Sequence, residues 1–177
     1  DYTQAMVLGG ITNGVKNVEL TAAYATIANG GVYEKPVFYT KITDHDGNVL
    51  IDNTEAYSRT VLKDSTAWLL TSAMQDVVTT GTGKAVNFGG MSVAGKTGTT
   101  SDNRDVWFVG YTPYYTAGIW AGYDNNHELS SKKGETGYHK KIWKAVMSRL
   151  SEGQSDIGFP KPSSVTSATV CAASGKL

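Results

Sequence analysis

The sequence predicts an α+β fold in which an antiparallel sheet is flanked by helices. Three segments carry apolar residues at helical spacing, and three strand-like segments follow one another in the second half of the chain. The turn Thr112-Pro113-Tyr114-Tyr115 joins the last two of these strands, which predicts that they run antiparallel. The 177 residues, 40% hydrophobic and 18% charged, suffice for one folded domain or a large part of one.

The first half of the chain opens with a glycine-rich loop over residues 1–16. A helix is predicted over residues 17–27, because its apolar residues follow helical spacing and an Asn-Gly-Gly run ends the pattern. Residues 32–42 are rich in β-forming side chains. The Asp-Gly pair that comes next predicts a hairpin turn into a return strand over residues 49–51.

A second helix is predicted over residues 66–78, and its apolar stripe consists of Leu69, Leu70, Ala73, Met74 and Val77. The three strands of the second half are predicted over residues 92–99, 105–111 and 116–123. After a polar loop, a last helix is predicted over residues 138–150, with an apolar face formed by Ile142, Trp143, Val146 and Leu150.

The sequence divides at residue 150 into a domain (residues 1–150) and a tail. Residues 151–177 hold two of the four prolines and one of the eighteen aromatic residues, which is typical of a linker leaving a domain. We also expect a short strand over residues 165–170. The chain opens without an initiator methionine, so we expect a fragment of a longer polypeptide.

The composition argues against several classes of protein. Sixteen basic and sixteen acidic residues give a net charge of zero, which disfavours a nucleic-acid binder. A single cysteine, Cys171, excludes an internal disulfide framework and multi-cysteine metal sites. No stretch reaches the roughly 18 apolar residues of a membrane span. The histidines His45, His127 and His139 lack metal-ligand spacing and are predicted at the surface, so no metal or cofactor is expected.

Residues 90–97 spell the formula of a phosphate-binding loop that ends in Lys96 and Thr97. Such a loop needs a buried strand before it and a helix after it, so that backbone amides and the helix N-terminus hold the phosphate. Here the preceding segment is polar and glycine-rich, and residues 98–104 form a poor helix. The nucleotide-binding alternative is therefore disfavoured.

Four residues also fall at the ligand positions of a calcium-binding loop: Asp44, Asp46, Asn48 and Glu55. The glycine that such a loop requires is replaced by Val49, and the flanking segments resemble strands instead of helices. A hairpin with an Asp-Gly turn is the preferred interpretation.

The strongest signal is the run Lys96-Thr97-Gly98-Thr99-Thr100 at the end of an apolar strand. Thr97 and Thr99 should point to the same face, where two hydroxyls can converge on one anion. Gly98 lets a ligand backbone approach, and Lys96 supplies positive charge. The run predicts a carboxylate site on a strand edge that takes a peptide as an extra strand. The simpler alternative is a surface strand end with ordinary threonines.

Residues 5–150 resemble the transpeptidase domain of the class A (bifunctional) penicillin-binding proteins. The resemblance extends over several motifs in the order of the family: residues 8–15, 22–33, 75–78, 81–83, 93–100 and 105–113. It implies the C-terminal portion of a fold shared with the serine β-lactamases. It also implies a serine-type D,D-transpeptidase that cross-links peptidoglycan stem peptides through an acyl-enzyme and is inhibited by β-lactams.

The family uses Ser-x-x-Lys, Ser-x-Asn and Lys-Thr-Gly, in that order along the chain. Lys96, Thr97 and Gly98 match the third element. By resemblance, Thr97 and Thr99 hold the terminal carboxylate of the donor peptide, and Lys96 adds electrostatic support. The backbone N–H of Thr99 is implied as one of two oxyanion donors, which makes Lys96 and Thr99 the catalytic residues of this segment.

Two short sequences match the first two elements, but both follow Lys96, whereas in the family these elements precede Lys-Thr-Gly. Ser130-Ser131-Lys132-Lys133 lies in a charged loop after Lys96, whereas the family needs its nucleophile at the start of a buried helix upstream. Ser101-Asp102-Asn103 follows the Lys96 strand directly, where a turn is expected. The resemblance therefore implies that both true elements lie upstream of residue 1, and that this fragment alone is inactive.

The implied partners are the D-Ala-D-Ala stem peptide, β-lactams and the remainder of the same polypeptide, without nucleic acid. The implied location is the outer face of the cell membrane. Three alternatives stay open: a serine β-lactamase or D,D-carboxypeptidase relative, a non-catalytic peptidoglycan-binding module, and the disfavoured nucleotide binder.

Overall fold

The computed structural model describes residues 4–176. In that part of the chain the helices are α1 (Asn17–Ala28), α2 (Asp64–Thr79) and α3 (Tyr138–Leu150), with short 3-10 helices at Gln4–Leu8, Lys84–Val86 and Ser101–Asn103. The strands are β1 (Val32–Glu34), β2 (Lys41–Thr43), β3 (Val49–Asp52), β4 (Ser58–Thr60), β5 (Ala94–Thr99), β6 (Asp105–Tyr111) and β7 (Thr116–Gly122). None of the described helices combines the length and the apolar character that crossing a membrane requires.

A three-stranded antiparallel sheet, in the order β5-β6-β7, forms the centre of the structure. The turn between β6 and β7 is held by Thr112, whose hydroxyl accepts the backbone N–H groups of Tyr114 and Tyr115 at 3.2 Å each. The predicted antiparallel pairing of these two strands is confirmed, as is the α+β class with helices against an antiparallel sheet.

Helices cover both faces of this sheet. On one face, Tyr111 of β6 packs with Met74 of α2 and is flanked by residues of α1. On the other face, Phe108 packs with Trp143 and Met147 of α3. The rings of Phe108 and Trp143 meet edge to face with centroids 4.9 Å apart. The sheet is therefore the layer between two apolar cores.

A pair of glycines makes room for Phe108. Gly95 of β5 lies directly opposite Gly110 of β6. A Cβ atom at Gly95 would come 2.6 Å from the Phe108 ring, and one at Gly110 would come 2.7 Å from it. The absence of both side chains lets the ring lie across the two strands.

The segment between α1 and α2 is built differently. It holds two small antiparallel pairs, β1 with β4 and β2 with β3, and the β4 strand is not foreseen from the sequence. The predicted hairpin turn is confirmed between β2 and β3, where Gly47 adopts φ +85°. In residues 37–57, which we call the hairpin region, no residue is buried.

The predicted apolar stripe of α2 is only partly right. Met74 is buried, but Leu69 and Leu70 are 57% and 42% exposed. The helix instead buries Thr71, whose hydroxyl lies 2.7 Å from the phenol oxygen of Tyr111. Burial raises the pKa of Tyr111 to about 12. This polar pair explains why a threonine takes a core position that the sequence pattern gives to leucine.

The prediction that His139 lies at the surface is wrong. His139 is 2% exposed, because it shares the inner face of α3 with Trp143 and Met147 at intervals of four residues. The apolar face predicted for α3 is correct only at Trp143, since Ile142 and Val146 are about half exposed.

The segment that follows α3 packs back against the domain. The Tyr114 hydroxyl donates to the Ser155 carbonyl at 2.7 Å, and the Ser92 hydroxyl donates to the Asp156 carboxylate at 2.8 Å. The Phe159 ring meets the Tyr111 ring edge to face at 5.4 Å. The strand expected over residues 165–170 does not form in this described segment. The domain boundary at residue 150 stays a prediction.

Candidate active site

Strand β5 lies at one edge of the three-stranded sheet. Its only strand neighbour among residues 4–176 is β6, so one of its two edges is unpaired there. Alternate residues of such a strand direct their N–H and C=O groups away from the partner strand. Because an extended peptide can pair with these groups, the edge of β5 is suited to bind one.

Lys96 lies on β5 on the face of the sheet that α1 and α2 cover. Its side chain is exposed, and its ammonium group donates to the Thr97 carbonyl at 2.9 Å. Within the described residues it forms no ion pair with a carboxylate. The positive charge of Lys96 is therefore free to attract an anionic ligand at the strand edge.

Thr97 and Thr99 lie on the opposite face of the sheet. The strand register places Thr97 beside Phe108 and Thr99 beside Val106. The Thr97 hydroxyl lies 2.8 Å from the hydroxyl of Thr82, and Thr99 is exposed. The two threonines thus point to one side, as strand geometry predicts.

Gly98 separates the two threonines and faces Trp107. A Cβ atom at position 98 would lie 3.2 Å from the Trp107 Cβ, which is a tight contact. Glycine at this position therefore avoids crowding Trp107 and also leaves the surface of the strand open to a ligand.

The turn after β5 contains the Ser-Asp-Asn sequence. Ser101–Asn103 forms a single 3-10 turn that leads into β6, with left-handed backbone angles of φ 60° at Asp102 and φ 51° at Asn103. Asp and Asn tolerate this conformation better than most residues. The turn expected at this position is confirmed.

Ser130 also lies in a loop and not on a helix. Its backbone N–H donates to the Glu135 carboxylate at 2.6 Å, and its hydroxyl accepts the Lys133 N–H at 3.4 Å. The Ser130 hydroxyl therefore closes a local turn. Residues 131–137 form turns, so Ser130 does not begin a helix, as a Ser-x-x-Lys nucleophile would require.

The nucleotide and calcium motifs take other structures. Gly90 precedes a strand that begins at Ala94, so Lys96 and Thr97 lie inside β5 and not at the start of a helix. The Asp44 carboxylate accepts the backbone N–H groups of Asp46 and Asn48 at 3.0 and 2.8 Å, which closes the β2–β3 hairpin. Within residues 4–176, no cluster of three or more His, Cys, Asp or Glu side chains is placed to hold a metal.

Thr82 makes two contacts that the sequence does not predict. Its hydroxyl reaches Thr97, and its carbonyl accepts a hydrogen bond from the Lys140 ammonium at 3.5 Å. In the sequence, Thr82 stands out only as the middle residue of the Gly81-Thr82-Gly83 motif. These contacts join the end of α2 and the start of α3 to the middle of β5.

Residues 2–148 match the family model described as the penicillin binding protein transpeptidase domain. The chain belongs to this family. The predicted resemblance to class A penicillin-binding proteins is thereby confirmed.

Curated relatives agree over nearly the whole chain. It is 34% identical to penicillin-binding protein 1A of Clostridium botulinum over 174 residues, which is 98% of this chain and 21% of that protein. It is 35% identical to penicillin-binding protein 1F of Bacillus subtilis over 171 residues, which is 93% of this chain and 23% of that protein. The chain thus spans about a fifth of the length of these relatives.

Solved structures share the fold. The penicillin-binding protein PonA1 of Mycobacterium tuberculosis superposes with a TM-score of 0.78 at 30% identity, covering 94% of this chain and 48% of that one. Penicillin-binding protein 1A of Haemophilus influenzae superposes with a TM-score of 0.73 over 91% of this chain and 30% of that one. At 19% identity the second likeness concerns the fold alone.

Proposed function

We propose that this chain forms the Lys-Thr-Gly wall of a D,D-transpeptidase active site that cross-links peptidoglycan. The observation that carries the proposal is the edge of β5 that is unpaired within residues 4–176. There Thr97 and Thr99 share one face of the strand, and Lys96, on the other face, forms no ion pair with a described carboxylate. Membership of the transpeptidase family supports the same function.

In this proposal the donor stem peptide pairs with β5 as an additional strand. The hydroxyls of Thr97 and Thr99 donate to its terminal carboxylate, and the charge of Lys96 favours the anion. A charge-assisted hydrogen bond is about twice as strong as a neutral one, so this subsite selects peptides with a free C-terminus. β-Lactams that carry a carboxylate would use the same groups.

The covalent step requires a serine from a Ser-x-x-Lys element that precedes this chain in the longer polypeptide. The serine oxygen attacks the D-Ala-D-Ala carbonyl while its proton passes to a neighbouring base. The backbone N–H of Thr99 donates to the oxygen that becomes negatively charged. The peptide C–N bond breaks as the base passes its proton to the departing amine of D-alanine. An amine of a second stem peptide then attacks the serine ester; the ester C–O bond breaks, the acyl group passes to the amine, and the serine oxygen takes back a proton. The longer protein would act at the outer face of the cell membrane.

The proposal is tested by acylation with a fluorescent penicillin, using the longer polypeptide that carries this chain behind its Ser-x-x-Lys element. Lys96→Ala should slow acylation by roughly a hundredfold, or about 3 kcal/mol of barrier, because it removes the cation at the carboxylate subsite. Thr99→Val keeps the backbone N–H and removes one hydroxyl, so we expect a loss of about tenfold.

Two control variants and one truncation complete the test. Ser130→Ala and Asp44→Ala should leave acylation unchanged, since both side chains close local turns. The isolated 177 residues should not be labelled at all. Loss of labelling in Ser130→Ala together with normal labelling in Lys96→Ala would refute the proposed site. If the acyl group passes to water and not to an amine, the protein is a β-lactamase or carboxypeptidase relative.

A further inference from the structure

Thr82 contacts the proposed site, but the mechanism proposed above gives it no role. Its hydroxyl lies 2.8 Å from the hydroxyl of Thr97, although fifteen residues separate them in the chain. Thr82 sits in the short loop between α2 and the 3-10 helix Lys84–Val86, outside the Lys-Thr-Gly strand.

The loop around Thr82 is held close to the end of α2. The N–H groups of Gly81 and Gly83 donate to the carbonyls of Asp76 and Val77 at 2.9 and 2.8 Å. A Cβ at Gly81 would come 2.9 Å from the Cα of Val77, and one at Gly83 would come 3.0 Å from its carbonyl oxygen. Two glycines therefore allow the backbone to turn tightly.

A contact from α3 supports the same residue. The ammonium of Lys140 donates to the Thr82 carbonyl at 3.5 Å, at the long end of hydrogen-bond distances. Together with the turn, it holds the Thr82 backbone in place, so that its hydroxyl stays within reach of Thr97.

The direction of the hydrogen bond between the two hydroxyls decides what Thr97 can do. A threonine hydroxyl has one proton to donate and two lone pairs to accept with. If Thr97 donates to Thr82, it has no proton left for a ligand. If Thr82 donates instead, the Thr97 proton is available to a carboxylate, which is a stronger acceptor than a hydroxyl.

We propose that Thr82 is a positioning residue that donates its hydroxyl proton to Thr97 and thereby aims the Thr97 proton at the carboxylate of the bound peptide or β-lactam. This inference rests on the proposed function, because it assumes that Thr97 binds that carboxylate. A chain of two hydroxyls also polarises the second one, which strengthens its bond to the anion.

The test compares a penicillin with its methyl ester on the longer polypeptide with its Ser-x-x-Lys element. Thr82→Val removes the donor and keeps the shape, so acylation by the free acid should slow by about tenfold. Acylation by the ester should change little, because the ester lacks the charged acceptor. Thr82→Ser should restore the rate with the acid, since it restores the hydroxyl.

Thr79→Val is the matched control. Thr79 lies three residues earlier, and its hydroxyl makes only a 3.5 Å contact with the Asp76 carbonyl. It should leave the rates with acid and ester at the level of the unmodified protein. Melting temperatures of all variants show whether each one is folded.

The outcomes separate this inference from the proposed function. If Thr82→Val slows acylation by the free acid and by the ester equally, Thr82 has a merely structural role. If neither acylation rate changes, Thr82 has no role in acylation. Either result overturns the inference. Thr97→Val tests the carboxylate site itself. If Thr97→Val lowers the preference for the acid and Thr82→Val does not, only the inference fails. If Thr97→Val leaves that preference intact, the proposed carboxylate site is wrong as well.

Discussion

The β5-β6-β7 sheet and the hairpin region are both made of antiparallel strands closed by polar turns, yet their surroundings differ completely. The sheet lies between helices, and Val106, Phe108 and Tyr111 of β6 are fully buried. In residues 37–57 even the apolar side chains are exposed, including Phe38 at 84%. Both regions therefore pair their strands, but only the β5-β6-β7 sheet buries side chains.

The turns show where the difference begins. In the hairpin region, Asp44 bonds only with residues up to four positions away. In the sheet, Asp105 contacts Thr100 across the turn and also accepts the indole N–H of Trp120 on the third strand at 2.9 Å. Local bonds are enough to make a hairpin, whereas a contact with a third strand ties the turn into a larger sheet.

The contrast can be measured with pairs of identical residues. One residue of each pair lies in the sheet or in helix α3 packed on it, and the other lies in the hairpin region. The largest effect is expected for phenylalanine. Phe108→Ala should lower the free energy of unfolding by about 3–5 kcal/mol, because it opens a cavity against Trp143. Phe38→Ala should change it by less than about 0.5 kcal/mol. Urea denaturation monitored by circular dichroism measures both.

Similar losses for the two variants would contradict the contrast between the regions. Phe38→Ala could instead lower the free energy of unfolding by more than about 2 kcal/mol in the longer polypeptide alone. That result would show that chain outside these 177 residues covers the hairpin region.

Histidine gives the second comparison. Burial lowers the pKa of His139 to about 4 from its usual 6.5, with a smaller contribution from the charge of Lys140. The Nδ1 atom has no hydrogen-bond partner among the described residues. His45 is exposed in the hairpin turn, with its imidazole 3.2 Å from the Asp46 carboxylate.

The difference in proton binding at His139 between the folded and unfolded chain sets the direction in which stability changes with pH. Between pH 6.5 and 4 the unfolded chain binds a proton at His139 and the folded protein does not, so stability falls as the pH drops through this range. The loss is about 3 kcal/mol at its full extent. His139→Leu should remove this part of the pH dependence, and His45→Ala should not. An unchanged pH profile in His139→Leu would contradict the assignment.

Features with a local signal were predicted well from the sequence. The bounds of α3 and β6 match the prediction; Gly137 directly precedes α3, and Pro113 lies just beyond the end of β6. The Lys-Thr-Gly segment was correctly predicted on a strand, and the Ser-Asp-Asn sequence in a turn. The roles assigned to Lys96 and Thr99 stay predictions.

Features that depend on distant partners were missed. Thr71 is buried because Tyr111, forty residues away, offers a hydroxyl partner, and Thr82 reaches Thr97 across a loop. His139 could have been found, since Trp143 and Met147 follow it at intervals of four. Its charged sequence neighbours Lys140 and Lys141 obscured that spacing.

The smallest effect is expected for aspartate. Asp105→Ala removes the acceptor for Trp120 and for Thr100, so the free energy of unfolding should fall by about 1–2 kcal/mol. Asp44→Ala removes bonds confined to an exposed turn, so global stability should not change measurably. Instead, the Asn48 amide should exchange with solvent about fivefold to tenfold faster. Global destabilisation by Asp44→Ala equal to that of Asp105→Ala would show that the hairpin region unfolds together with the sheet. Local exchange alone would show that the two regions open separately, as a hairpin without a buried face should.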